Sequence, residues 1–180
     1  MTPFPHAAVG LIGWKYADRR HRLKALFIFV FISCLPDADF FLFPLFNKHE
    51  WFIHQRFTHN VGIALLSALI FFPFLRMARA RIGLILVALS HLVMDVFVVD
   101  TLAPIGFRPF LPFSDTLLNF GVFPFVKRGT VAQVLSVPNL IAIGLELGLF
   151  VLPALWICRK ELVSLWSAGP EGRSPGPVDN

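Results

Sequence analysis

Residues Ile82 to Val99 read IGLILVALSHLVMDVFVV, an apolar run of membrane-spanning length that contains His91 and Asp95. Spaced four apart on a helix, the imidazole and the carboxylate lie on one face and within reach of a shared metal ion or proton. A charged Asp inside a membrane segment costs on the order of 3 kcal/mol, so such a residue faces a polar interior and marks function. The remaining segments are therefore read for what they bring to that face.

Composition fixes the solvent. Of 180 residues, 56% are hydrophobic, 14% aromatic and only 15% charged, with a mean hydropathy of +0.71. A chain this apolar is an integral membrane protein. Its length allows one all-α bundle of about four spans, with short N-terminal and interfacial helices. A single membrane-embedded helical domain over residues 1–166 is expected. The tail 167–180 is rich in Gly, Pro and Ser and is expected to be disordered. The net charge of +5 does not point to nucleic acid, because the basic residues sit at segment ends, where lipid headgroups account for them. The bilayer is the expected partner, and the inner membrane the expected place. Cys34 and Cys158 lie in apolar runs without metal-ligand spacing and read as small core residues.

His6 opens a short apolar run, Ala7 to Trp14, followed by the basic stretch Lys15, Arg19, Arg20, Arg22 and Lys24. The next segment, Ala25 to about Phe46, is broken by Pro36, and the carboxylates Asp37 and Asp39 stand at the break. Non-helical backbone at membrane depth requires protein or a water-filled cavity around it. A polar stretch from Asn47 to His59 contains His54, Arg56 and Thr58, and Thr58 or Asn60 is a candidate cap for a third segment ending near Leu75. From Asp100 to Pro124 the chain is rich in Pro, Gly and Phe and reads as an interfacial loop with short helical pieces. The last apolar segment, Pro138 to about Cys158, carries Asn139 and Glu146.

With the basic groups at 15–24, 76–81 and 159–173 inside, 11 of the 16 Lys and Arg are cytoplasmic. Asp37, Asp39, His54, His59, His91 and Asp95 then converge at one depth towards the outer face, and His6 reaches the same level. Imidazole and carboxylate together are a ligand set for zinc, manganese or iron. A divalent ion would neutralise the buried carboxylates and, with an open position, activate water for hydrolysis. His6, Asp37, Asp39, His54, His59, His91 and Asp95 are the candidate metal ligands. Asp39, Glu146 and Arg56 are the candidate catalytic groups. Each also has a structural reading, as a hydrogen-bonded tie between helices, a cap or an interfacial group. A proton or metal carrier, or a non-catalytic stress-response membrane protein, would use the same residues.

Pro36-Asp37-Ala38-Asp39, the run His54 to His59 and the run Ser90 to Asp95, followed by Pro109-Phe110 and Pro112-Phe113, resemble the YdjM-like membrane-bound metal-dependent hydrolases of bacteria. The likeness covers roughly residues 4 to 150. It departs at two places: Arg56 stands one position later than the family's arginine with no glycine after it, and Asn60 stands where serine is usual. The resemblance implies a divalent metal, zinc first. Through its His-x-x-x-Asp helix the family is also similar, remotely, to zinc-dependent phospholipase C and P1-type nucleases, which implies a phosphoester or lipid-linked substrate.

Overall fold

The computed structural model describes residues 1–16, 22–39, 42, 45, 55, 57–99, 106–124, 132 and 135–167. The described structure is all helical. Helix α1 spans Pro3–Lys15, α2 Arg22–Cys34, α3 Val61–Phe71 and α4 Ala78–Val96, and α5 runs from Val137–Ser167 with a π-helical turn at Leu147–Val151. The 3-10 turn Leu35–Ala38 extends α2 through Pro36, and a second, Phe72–Phe74, extends α3 through Pro73. Proline has no N–H to give the α-helical ladder, which is why both helices tighten where they do.

Among the described residues, Val137–Ser167 is the one helix long and apolar enough to cross a bilayer alone. Helices α1 and α2, at 13 residues each, rise about 20 Å against a hydrocarbon core of about 30 Å. The last segment is longer than expected, because the helix continues past Arg159 and Lys160 and includes Ser167. The Pro-rich loop also differs from expectation. Its described residues, 106–124, form turns tied down by two isolated bridges, Val98 with Phe123 and Phe107 with Leu118, and contain no helical pieces. With a proline or glycine at positions 106, 109, 112, 121 and 124, a helix would be interrupted every few residues. Residues 168–180 lie outside the described structure.

The interior stripe of α4 is Leu84, Ala88, His91 and Asp95, and that of α2 is Ala25, Ile28, Phe29 and Ile32. Both follow the three-and-four spacing of one helical face. The opposite faces are equally apolar: Leu23, Phe27 and Phe31 on α2, Leu66, Leu69 and Ile70 on α3, Ile82, Leu86 and Val93 on α4 are all exposed. A helix apolar all round belongs in lipid or deep inside protein. Helix α1 packs into α2 through glycine: a Cβ at Gly10 would lie 2.6 Å from Ser33 Oγ and 2.8 Å from the Phe29 carbonyl oxygen. Small-residue contacts of this kind let two helix backbones approach closely.

The bundle has two chemically distinct ends. At one, the Trp14 indole donates to the Arg22 carbonyl, Lys15 to the Ile157 carbonyl and Arg81 to the Leu75 carbonyl. At the other, the start of α1, the end of α2, the start of α3 and the end of α4 meet. Cys34 and Cys158 are both free thiols.

Candidate metal centre

The chain reverses between α2 and α3 and between α4 and the Pro-rich loop at the same end of the bundle, and this brings four buried side chains together: Asp37, His59, His91 and Asp95. Three atoms form a near-equilateral triangle. His59 Nε2 and His91 Nε2 are 3.2 Å apart, and each is 3.2 Å from Asp95 Oδ2. Asp37 Oδ1 stands over the triangle at 3.7 Å from His59 Nε2 and 3.6 Å from His91 Nε2. Nitrogen and oxygen ligands about 2.1 Å from a tetrahedral ion are separated by about 3.4 Å. Five of the six donor separations, at 3.2–3.7 Å, are close to that spacing, and all four atoms lie within 4.8 Å of one another.

The hydrogen bonds around the cluster decide where its protons are. His91 Nδ1 is 2.7 Å from the Ser33 carbonyl oxygen, which only accepts, so Nδ1 carries the proton and Nε2 of the neutral ring is a lone pair. The Thr58 hydroxyl spends its one proton on Asp39 Oδ2, 2.8 Å away, so it accepts from His59 Nδ1 at 3.0 Å. His59 Nε2 is then a lone pair as well. With both rings neutral, two imine nitrogens and two carboxylate oxygens face one another. Four acceptors buried at this separation repel unless a cation, or added protons, sit among them.

Second contacts of this type, a carbonyl or carboxylate behind each imidazole, fix ring orientation in metal sites. Asp39 belongs to this outer layer. Fully buried, it accepts from Thr58 Oγ1 and from the Gln55 backbone N–H at 3.2 Å, and faces Nδ1 of His59 at 3.6 Å. The two carboxylates expected together therefore lie on opposite sides of one imidazole: Asp37 addresses Nε2 and Asp39 addresses Nδ1.

His6 is beside the cluster and outside the four-atom set. Its ring stacks on His91 with centroids 3.7 Å apart, and its Nε2 is 3.4 Å from Asp95 Oδ1, the oxygen turned away from the triangle. The Met1 amino group also donates to that oxygen, at 2.7 Å. Among the described residues, neither nitrogen of His6 has a hydrogen-bond partner, and Asp37 Oδ2 has none either.

Glu146 is placed elsewhere. It accepts from the Thr2 backbone N–H at 3.1 Å and from the Thr2 hydroxyl, so this carboxylate in the middle of α5 serves the first turn of α1, immediately before the π turn. π turns of this kind recur at functional sites. His54 and Arg56 lie outside the described residues, as do His21, His49 and Asp100. The helix cap is Asn60, whose Oδ1 accepts from the Ile63 N–H at 2.9 Å; Thr58, the other candidate cap, is committed to Asp39 and His59. No contact in the sequence announces that Thr58 role. The only signal is its place directly before His59.

No curated protein and no solved structure matches the chain. A family profile described as YdjM inner membrane protein matches residues 1–165 of the 180. With a buried His/Asp cluster able to hold a metal ion, the chain belongs to the YdjM inner membrane protein family.

Proposed function

We propose that this protein is a multi-pass inner-membrane hydrolase that uses a divalent ion held by Asp37, His59, His91 and Asp95 to cleave a phosphoester or lipid-linked substrate at the membrane interface. The observation that carries the reading is the convergence of four buried ligand atoms, with the far nitrogen of each imidazole 2.7–3.0 Å from an oxygen that can accept its proton. An ion held by these four residues would need a further open position, and with one it would supply an activated water at neutral pH or polarise a phosphoryl oxygen. Ser33 and the Thr58–Asp39 pair hold the two imidazoles as neutral ligands. Asp37 Oδ2, buried and without a hydrogen-bond partner among the described residues, would be the oxygen available to hold a proton there. His6 stacks on His91 and keeps its ring against bulk water. Zinc suits a four-coordinate N/O set, while manganese or iron suit two histidines and one carboxylate with open positions.

The multi-pass arrangement is supported by the outward apolar rows on α2, α3 and α4. Helices this short cross by local thinning of the bilayer or as partial spans. The basic end would be cytoplasmic and the cluster would sit towards the outer face.

The test is elemental analysis of the detergent-purified chain beside a His91→Ala/Asp95→Ala double variant, followed by hydrolysis assays on phosphodiesters and phospholipids. Near-stoichiometric metal lost in the double variant, together with turnover lost in parallel, is the expected result. Metal without turnover on any of these substrates, combined with reversible release, would mark a carrier. No metal in the wild-type protein after resupply would overturn the proposal.

A further inference from the structure

A second feature lies beside the cluster. Between the first turns of α3 and the Pro-rich loop runs an open groove of about 500 Å³, walled by Phe57, Ile63, Leu66, Leu111 and Phe113, with Arg108 as the charged residue of its lining. That volume is in the range of small-molecule sites, about 300–1,000 Å³. The groove is built by short-range contacts. The Val61 N–H donates to the Pro109 carbonyl at 2.8 Å, which ties the loop to the start of α3, and the Asn60 side chain donates to the Phe57 carbonyl at 2.6 Å.

The lining selects its occupant. Among the described residues it contains no carboxylate, which disfavours a metal or an amine, and too few hydrogen-bonding groups for a sugar. Arg108 has a buried Nε with no hydrogen-bond partner among the described residues. Among the described residues it pairs with Asp115, 3.7 Å away with a side chain 88% exposed, a loose pair in solvent. Nε of this guanidinium thus lacks an acceptor among the described residues, and phosphate is an acceptor that matches its planar donors. The groove also continues onto the outward face of α3: Leu66 lines it and is itself exposed, with Leu69 and Ile70 exposed beyond it. Phe110 and Phe113 stand out from the loop at 51% and 94% exposure. An acyl chain can therefore enter sideways without leaving hydrocarbon, while a headgroup stays at the level of the loop.

We infer that this groove binds one anionic phospholipid, its acyl chain along Ile63, Leu66 and Leu111 and its phosphate on Arg108. The headgroup is then close to the His/Asp cluster, since Asn60 follows His59 and Arg108 follows Phe107, whose ring meets the His59 imidazole edge-on at 6.1 Å. Binding of the lipid stands whether or not the cluster hydrolyses it.

The experiment is a native mass-spectrometry titration of the full chain with dioleoyl phosphatidylglycerol and, separately, dioleoyl phosphatidylcholine. The wild-type protein is expected to hold one phosphatidylglycerol about tenfold more tightly than phosphatidylcholine, because both carry the phosphate but choline adds a cation that Arg108 repels in a lining without a carboxylate. Arg108→Gln removes that preference and leaves weak binding of both. Asp115→Asn, which deletes the competing carboxylate, sharpens the preference. Ile63→Trp fills the groove and loses both lipids, whereas Leu149→Trp on the exposed face of α5 leaves binding unchanged. A monodisperse size-exclusion profile reports folding, and metal content is read separately, so failure of the metal centre and failure of the lipid site are distinguishable. Equal affinity for the two lipids in the wild-type protein, or an undiminished preference in Arg108→Gln, would overturn the inference.

Discussion

Thr58→Val isolates the hydroxyl that fixes His59. The substitution keeps the shape of the side chain and removes two hydrogen bonds, the 2.8 Å donation to Asp39 and the 3.0 Å acceptance from His59 Nδ1. Two consequences oppose each other. His59 loses the partner that holds its proton on Nδ1, so the ring can place a proton on Nε2, where it would be held by Asp95 and would block the metal. Against this, Asp39 Oδ2 is already only 3.6 Å from Nδ1, and a small movement lets it accept that proton directly. Loss of an outer-layer partner costs about 10–100-fold in metal affinity. Because Asp39 can substitute in part, the lower half of that range applies, about 10–30-fold, or roughly 1.4–2 kcal/mol. The assay is competition for the ion between the purified protein and a chelator of known affinity, with bound metal counted by elemental analysis. Thr58→Ser keeps the hydroxyl and should remain within about threefold of wild type. If Thr58→Val binds as tightly as wild type, the tautomer argument fails. If Thr58→Ser loses as much as Thr58→Val, the methyl group matters and the hydrogen bonds do not.

Three further outcomes follow from the same geometry. Saturating the wild-type protein with its ion, at about a thousandfold over the dissociation constant, should stabilise it by about 4 kcal/mol in thermal unfolding; Asp95→Asn, which leaves the shape and removes the charge, should abolish the shift. Glu146→Ala strands the Thr2 N–H and hydroxyl and should cost about 2–3 kcal/mol of stability, with metal stoichiometry unchanged; loss of metal equal to that of His91→Ala would instead place Glu146 in the ligand set. Gly10→Ala inserts a methyl 2.6 Å from Ser33 Oγ and 2.9 Å from Val30 Cα, so α1 and α2 must part at a cost of about 1–3 kcal/mol; because Ser33 also holds His91 through its carbonyl, metal affinity should fall with stability, measured by chelator competition at a temperature where the variant is still folded.

What the sequence could reveal followed the range of the physics involved. His91 and Asp95 were legible because four residues on a helix is one turn, and two polar groups in an apolar run have nowhere to go but inward. Asp37 was legible from the proline beside it. The separation of Asp37 from Asp39 was not: at i and i+2 in a 3-10 turn they diverge, and only the placement of His59 between them shows which nitrogen each one meets. The expectation of four spans came from counting apolar residues, which measures solvent preference along the chain and says nothing of where Pro36 and Pro73 convert the last turns of α2 and α3. Glu146 illustrates the same limit at long range. A carboxylate inside an apolar helix demands a partner, and the sequence marks Glu146 only as a candidate catalytic group; among the described residues the partner is Thr2, 144 residues away, a backbone N–H and a hydroxyl with no charge to advertise them. Burial cost identifies which residues must be satisfied. Which group satisfies them depends on the order in which helices pack, and here that order is set by close contacts such as Gly10 against Ser33, invisible to hydropathy because glycine contributes almost nothing to it.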